Sequence, residues 1–232
     1  MSAVRGARER ARAEVTAAIK DEARRSLAAE GAAKLSLRAV ARELGMVSSA
    51  LYRYFPSRDE LLTALIIDAY DSLGATAEEA DRTALAAGAP PRARWIAVCE
   101  AVRGWALAHP HEYALVYGSP VPGYSAPQDT IGPASRVANI LIGILRSAHA
   151  GHGLALPPLP AGLRREADRM AAEFADGLPP EVTAALVAAW AQLVGLVSFE
   201  LFGQYERVVE DRTAFFEHAA GQLAHGVGLP AV

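Results

Sequence analysis

Residues 36–58 read Ser36-Leu37-Arg38-Ala39-Val40-Ala41-Arg42-Glu43-Leu44-Gly45-Met46-Val47-Ser48-Ser49-Ala50-Leu51-Tyr52-Arg53-Tyr54-Phe55-Pro56-Ser57-Arg58, two short helices joined at a glycine. Ser36 is placed to cap the first helix, its hydroxyl accepting from amides two or three residues on. Leu37, Val40, Ala41 and Leu44 recur at helical spacing and give that helix one buried stripe. Gly45 ends it where a left-handed backbone is needed. Val47, Leu51 and Phe55 are expected on the buried face of the second helix, and Pro56 stops it. A small residue at 41, a tight turn at 45 and an apolar anchor at 51 let two helices cross steeply, as in a helix-turn-helix.

Charge separates this stretch from the rest of the chain. Residues 1–58 hold 12 Lys/Arg against 6 Asp/Glu, whereas residues 59–232 hold 11 against 20. A basic quarter on an acidic remainder points to a polyanion-binding head on a solvated body. The 232 residues are enough for one large domain or two small ones, and alternating Val/Ile/Thr runs are missing, so an all-α fold is expected. The single cysteine, Cys99, excludes an intramolecular disulfide and reads as a buried apolar residue in a cytoplasmic protein. The charged N-terminus lacks a signal-peptide core, and residues 182–199, the nearest approach to a membrane span, fit a buried interface helix better, so no membrane partner is expected.

The pattern divides into a DNA-binding domain over residues 1–58 and a body over 59–232. Residues 1–10 read as a frayed arm and Ala11–Ala29 as a first helix. The sequence Ser57-Arg58-Asp59-Glu60 forms a capping box that starts a connecting helix over residues 59–81. Residues 83–91 read as a loop and Pro91–Ala108 as a helix. His109-Pro110 breaks the chain, and a short helix carries Tyr113, Val116 and Tyr117. A proline-rich loop spans residues 118–127. Helices are expected over about 129–149 and 163–175. Two more begin near Pro180 and around Phe215, the first of them apolar on more than one side.

With these residues in view, the chain resembles the TetR family of bacterial transcriptional regulators. The likeness rests on Leu35-Ser36-Leu37-Arg38-Ala39-Val40-Ala41, Leu44-Gly45 and Leu51-Tyr52-Arg53-Tyr54-Phe55-Pro56-Ser57-Arg58, followed by Leu61-Leu62. Trp105, His109-Pro110, Tyr113, Gly118 and Pro120-Val121-Pro122-Gly123-Tyr124 look like the WHG subgroup of effector-binding domains. The resemblance implies an all-α homodimer with a three-helix helix-turn-helix head. A fourth helix joins the head to a body that binds an effector and dimerises through its last two helices. It makes Ser36 a phosphate contact and Arg38 a base-edge contact to double-stranded operator DNA, and a guanidinium can indeed donate twice to guanine. Ser48 and Ser49 fall at the start of the recognition helix, with Arg53 on the same helix reaching base or phosphate. Tyr52, Tyr54 and Arg58 are phosphate candidates, with Tyr54 alternatively packing on the first helix.

In the body, Trp105, His109, Tyr113, Tyr117, Phe174 and Phe199 are expected to line an effector site suited to a small, mostly apolar molecule with one polar handle. His109 alternatively caps a helix C-terminus. Leu186, Trp190, Leu193, Val197, Phe216 and Leu223 are expected at the dimer interface. The spacing of His109, His111 and Glu112 matches no metal or acid–base motif, so neither cofactor, metal nor enzymatic activity is expected. The reading is of a repressor released by its effector. The alternative is an architectural DNA-binding protein that tolerates any sequence and has no effector.

Overall fold

Gly45 has φ +64°, the left-handed backbone its position demanded. Its amide donates to the Arg42 carbonyl at 3.0 Å and the Met46 amide to that of Ala41 at 2.8 Å, so the helix end leaves few open acceptors. The computed structural model describes residues 2–151 and 153–230. In it the helices are α1 (Ser2–Glu30), α2 (Leu37–Glu43), α3 (Ser48–Leu51), α4 (Arg58–Ala86), α5 (Pro91–Ala108), α6 (Pro110–Tyr117), α7 (Ile131–Ala150), α8 (Arg164–Phe174), α9 (Pro180–Leu201) and α10 (Arg212–Gly226). No strand occurs among the described residues, and the fold is all-α.

Three boundaries differ from those expected. The arm is not frayed, because α1 already begins at Ser2; alanine, arginine and glutamate favour helix, and only Gly6 weakens the run. Met1 lies outside the described residues. The helix α3 is a single turn that continues in tighter bonds, Arg53 to Ala50 at 3.2 Å and Tyr54 to Leu51 at 2.8 Å. Pro56 drives the residue before it out of the helical region, which shortens the helix. Val47 precedes α3 instead of lying on its inner face and is 70% exposed, while Leu51 and Phe55 are buried as expected. The helix α4 runs to Ala86, beyond residue 81, and stops at Gly88, φ +73°. At its other end the Glu60 amide donates to Ser57 Oγ at 3.1 Å, the cap the sequence implied.

The chain forms two contact units whose division does not follow the one expected after residue 58. The first comprises Met1–Tyr70 with Pro110–Pro133. Its core gathers Ile19, Ala23, Val40, Ala41, Leu51 and Leu61, and the proline-rich loop packs on it through Val121 and Tyr124. The Tyr124 hydroxyl meets Thr63 Oγ1 at 2.9 Å. Lys20 and Arg24 both hold Asp68, at 2.8 and 2.7 Å, and Arg24 also reaches Glu112 at 3.2 Å.

The second unit comprises Asp71–His109 with Ala134–Val232. Here α9 packs against α5, α8 and α10. Its 22 residues include an 18-residue stretch of mean hydropathy 1.9 and are long and apolar enough by length and composition to cross a membrane. In the structure they carry the buried Glu200 instead, which receives Arg103 Nε and Nη2 at 2.7 Å each. Cys99 is buried on α5, and burial pushes its thiol well above the ordinary range. On α7, Arg136 grips Glu78 at 2.8 and 2.7 Å and the Asp71 carboxylate at 2.8 Å. The guanidinium lies so close over Gly74 that a Cβ there would be 2.7 Å from Nε.

Candidate functional site

The helix-turn-helix presents four of its eight expected contact residues to solvent. Arg38 projects from α2, Ser49 from α3, and Tyr52 and Arg53 from the turn that follows. Ser36 and Ser48 are half-buried at the starts of α2 and α3. Ser36 has the extended backbone of an N-cap but makes no side-chain cap bond, so its hydroxyl is not committed to the helix. Tyr54 packs against the core of the first unit, with the Arg12 guanidinium 5.1 Å from its ring centroid. This favours the packing alternative for that residue.

Arg58 has an internal task. Its Nε donates to the Leu35 carbonyl at 3.1 Å and its Nη2 to those of Ala32 and Ala33 at 2.8 and 3.3 Å. Those carbonyls belong to the 3-10 turn and linker just before α2. The arginine therefore fixes where α2 begins. Arg58→Met is expected to weaken thermal stability of the first unit and DNA binding together, by about 1.5–3 kcal/mol in stability for lost charged hydrogen bonds. Unchanged melting with weaker DNA binding would return Arg58 to a direct phosphate role.

The charges of this unit sort into two sets. Lys20, Arg24 and Arg25 are paired with Asp68, Glu112, Asp21 and Glu22. Lys34, Arg38 and Arg53 have no carboxylate partner among the described residues, and neither do Arg8, Arg10 and Arg12 on the outer turns of α1. Paired cations hold the helices together, and unpaired ones furnish a positive surface that includes the helix-turn-helix. Arg8, Arg10, Arg12 and Lys34 did not emerge from the motif; the recurrence of arginine at 5, 8, 10 and 12 was the available signal.

Of the six residues expected to line an effector site, Trp105, His109, Phe174 and Phe199 belong to the second unit and Tyr113 and Tyr117 to the first. Trp105 is buried, donates from Nε1 to Ser72 Oγ at 2.9 Å and stacks on His109 at 5.0 Å. His109 is the C-cap of α5, with Nδ1 2.9 Å from the Trp105 carbonyl. Tyr113 and Tyr117 belong to the other unit, where Tyr117 lies 5.1 Å from Tyr113 and 6.0 Å from Tyr70. Burial raises the phenols of Tyr70 and Tyr117, so both stay neutral. Phe174 and Phe199 are 44% and 53% exposed, Phe199 beside Tyr205.

The expected dimer interface needs correction. Leu186, Leu193, Val197, Phe216 and Leu223 are all buried within this one chain, at most 6% exposed. Such side chains have no surface left to give a second chain. Trp190 is half-buried, and the exposed residues of α9 are Val187, Ala188, Ala191, Gln192 and Phe199.

Residues 19–65 match the family described as bacterial regulatory proteins, tetR family, and residues 95–223 match the tetracyclin repressor-like C-terminal domain. The chain belongs to the TetR family. It is similar to the HTH-type transcriptional regulators Rv1816 of Mycobacterium tuberculosis and Mb1846 of Mycobacterium bovis. Each is 43% identical over 207 residues, 86% of this chain and 86% of the relative. It is also similar to the crystal structure of the regulatory protein SCO4313, with 35% identity and a TM-score of 0.75, over 94% of this chain and 98% of that one. The TetR assignment thus covers head and body, while the WHG likeness rests on the motif over residues 105–124 alone.

Proposed function

We propose that the chain is a cytoplasmic, homodimeric repressor that binds palindromic operator DNA and is released by a small, mostly apolar effector. The observation that carries the DNA reading is the set of unpaired cations, Lys34, Arg38 and Arg53, on and beside a helix-turn-helix whose other cations are mostly paired. Arg38 and Ser49 are assigned to base edges, and Ser36, Tyr52 and Arg53 to the phosphate backbone, which fixes register without reading sequence. The effector role in this reading falls to the Trp105–His109 stack, an apolar face with one titratable ring.

Selection from random duplex DNA tests the reading. An inverted repeat should emerge, with half-site centres about 34–36 Å apart or a multiple of that. Equal recovery of all sequences would instead support the architectural alternative.

The homodimer is assigned to the exposed face of α9, where Val187, Ala188, Ala191 and Phe199 follow one another at helical spacing. The half-buried Gly195 lies on the same face, and a Cβ there would meet nothing within 4 Å in this chain. Ala191→Glu should leave the monomer folded, because the position is exposed and glutamate favours helix. It should nevertheless abolish the dimer, since two charges would be desolvated without partners. Light scattering checks the mass and circular dichroism the helix content; a folded, dimeric Ala191→Glu would refute the interface.

A further inference from the structure

We propose that a cavity in the first unit binds a small uncharged molecule, an alcohol or phenol with an apolar body, and that its occupancy is linked to the position of α2. The cavity has a volume of about 460 Å³ and lies between the end of α1, the 3-10 turn Ala32–Lys34, α6 and the proline-rich loop. All of its lining residues belong to the first unit. Its size falls in the range of small-molecule sites.

The lining grades from apolar to polar. At the bottom lies Leu27, 5% exposed, with Leu115 and Val121, both packed on the core of this unit. His111 and Ser119 supply the polar side chains, and both are exposed, which puts them at the mouth. Neither side chain is engaged in a hydrogen bond among the described residues. Each can donate as well as accept, which suits a hydroxyl group. Among the described residues no Asp, Glu, Lys or Arg lines the cavity, so nothing there balances a charged ligand. Water at the apolar bottom finds few partners, and an apolar body that displaces it gains affinity.

Both walls are fixed from within the chain. On one side Arg58 holds the Ala32 and Ala33 carbonyls at 2.8 and 3.3 Å. On the other, the Tyr124 hydroxyl meets Thr63 Oγ1 at 2.9 Å and the Tyr124 amide donates to the Val121 carbonyl at 3.1 Å, which ties the proline-rich loop to α4. A ligand entering between fixed walls loses little affinity to ordering them. Ala32 and Ala33 also line the cavity, so a molecule lodged there bears on the turn through which Arg58 fixes the start of α2. Its binding shifts α2 by as much as its affinity differs between two positions of that turn. The Trp105–His109 stack lies in the second unit and shares no residue with this cavity. The linkage to α2 rests on the DNA reading; the ligand site does not.

The test follows the His111 imidazole proton resonances, identified by their loss in His111→Gln. The probes are para-ethylphenol, cyclohexylmethanol and, as a charged control, para-ethylbenzoate. At least one of the two hydroxyl compounds should shift the resonances saturably, and para-ethylbenzoate should bind roughly tenfold more weakly. Ala114→Phe should abolish the ligand-induced shift, because a ring at this half-buried lining position fills the space. Ser119→Ala, at an exposed position, should weaken binding about three- to tenfold, the worth of one neutral hydrogen bond, and keeps the test decisive if Ala114→Phe does not fold. Absence of a saturable shift with both hydroxyl compounds, equal affinity for para-ethylbenzoate, or unchanged affinity in the folded variants would overturn the site. A shift of the Trp105 indole N–H with His111 unmoved would place the ligand in the second unit and overturn it as well. Fluorescence anisotropy with the selected operator then reads the linkage. A saturating hydroxyl compound should change operator affinity about fivefold or more in the parent and leave it unchanged in Ala114→Phe. Equal operator affinity with and without the compound would overturn the linkage. A parent that binds no duplex DNA while the His111 shift persists would overturn the DNA reading, and the linkage with it, and would leave the ligand site standing.

Discussion

Arg103→Met is expected to destabilise the protein by about 3–5 kcal/mol, the cost of leaving one member of a buried ion pair without the other. Arg103 and Glu200 are 15% and 6% exposed at the side chain, and their two parallel bonds are 2.7 Å each. The guanidinium also lies 5.3 Å from the Phe216 ring centroid. Hydrogen bonding to Glu200 holds its pKa above the ordinary arginine value. Methionine keeps most of the volume and the ring contact, so the loss is that of the charge. The stranded Glu200 carboxylate then pays for desolvation without an attractor. The double variant Arg103→Met/Glu200→Leu should recover most of the loss, because apolar replacement of both members removes the unpaired charge. Urea unfolding checks this, with the midpoint falling in the single variant and the slope unchanged. A single variant within about 1 kcal/mol of the parent would mean that solvent screens the pair as it does at a surface.

Arg38→Ala is expected to cost about 1–3 kcal/mol of DNA affinity and to relax discrimination at one base pair of each half-site. Arg38 is exposed on α2 and has no carboxylate partner among the described residues, so its removal disturbs no ion pair described there. Helix stability should barely change, since alanine is the better helix former. Fluorescence anisotropy with the selected operator and its single-base variants separates the two possible roles. A loss confined to one base position supports base readout. A uniform loss, with the salt slope reduced by about one ion, would make Arg38 a phosphate contact.

Features governed by neighbouring residues were legible in the sequence. Gly45 needs only a glycine at a helix end, Ser57 only the amide three residues on, and His109-Pro110 only the missing N–H of proline. Periodicity marks which residues are apolar but not what covers them. Leu186, Leu193 and Val197 looked available to a second chain, and the chain's own helices cover them. Val47 shows the limit at a shorter range: its spacing from Leu51 is helical, yet the helix has not begun there.

The site was legible in the same uneven way. The exposed positions of Arg38, Ser49, Tyr52 and Arg53 followed from the motif, whereas the partners of Arg58 lie 23 to 26 residues away and only folding brings them near.

Gly74 and Arg136 carry an evolutionary constraint. A methyl group at residue 74 would crowd the Nε, Cβ and Cδ of Arg136 to between 2.7 and 2.8 Å, so the arginine could not keep its pose. With it would go the bonds to Asp71 and Glu78, and the carboxyl of Glu78, now held below its usual range mainly by its bond to Arg136, would lose that hold. Neither residue can drift alone. In descendants of this chain a larger residue at 74 should be inherited together with a shorter one at 136, and the acidic partners on α4 would then be free to vary.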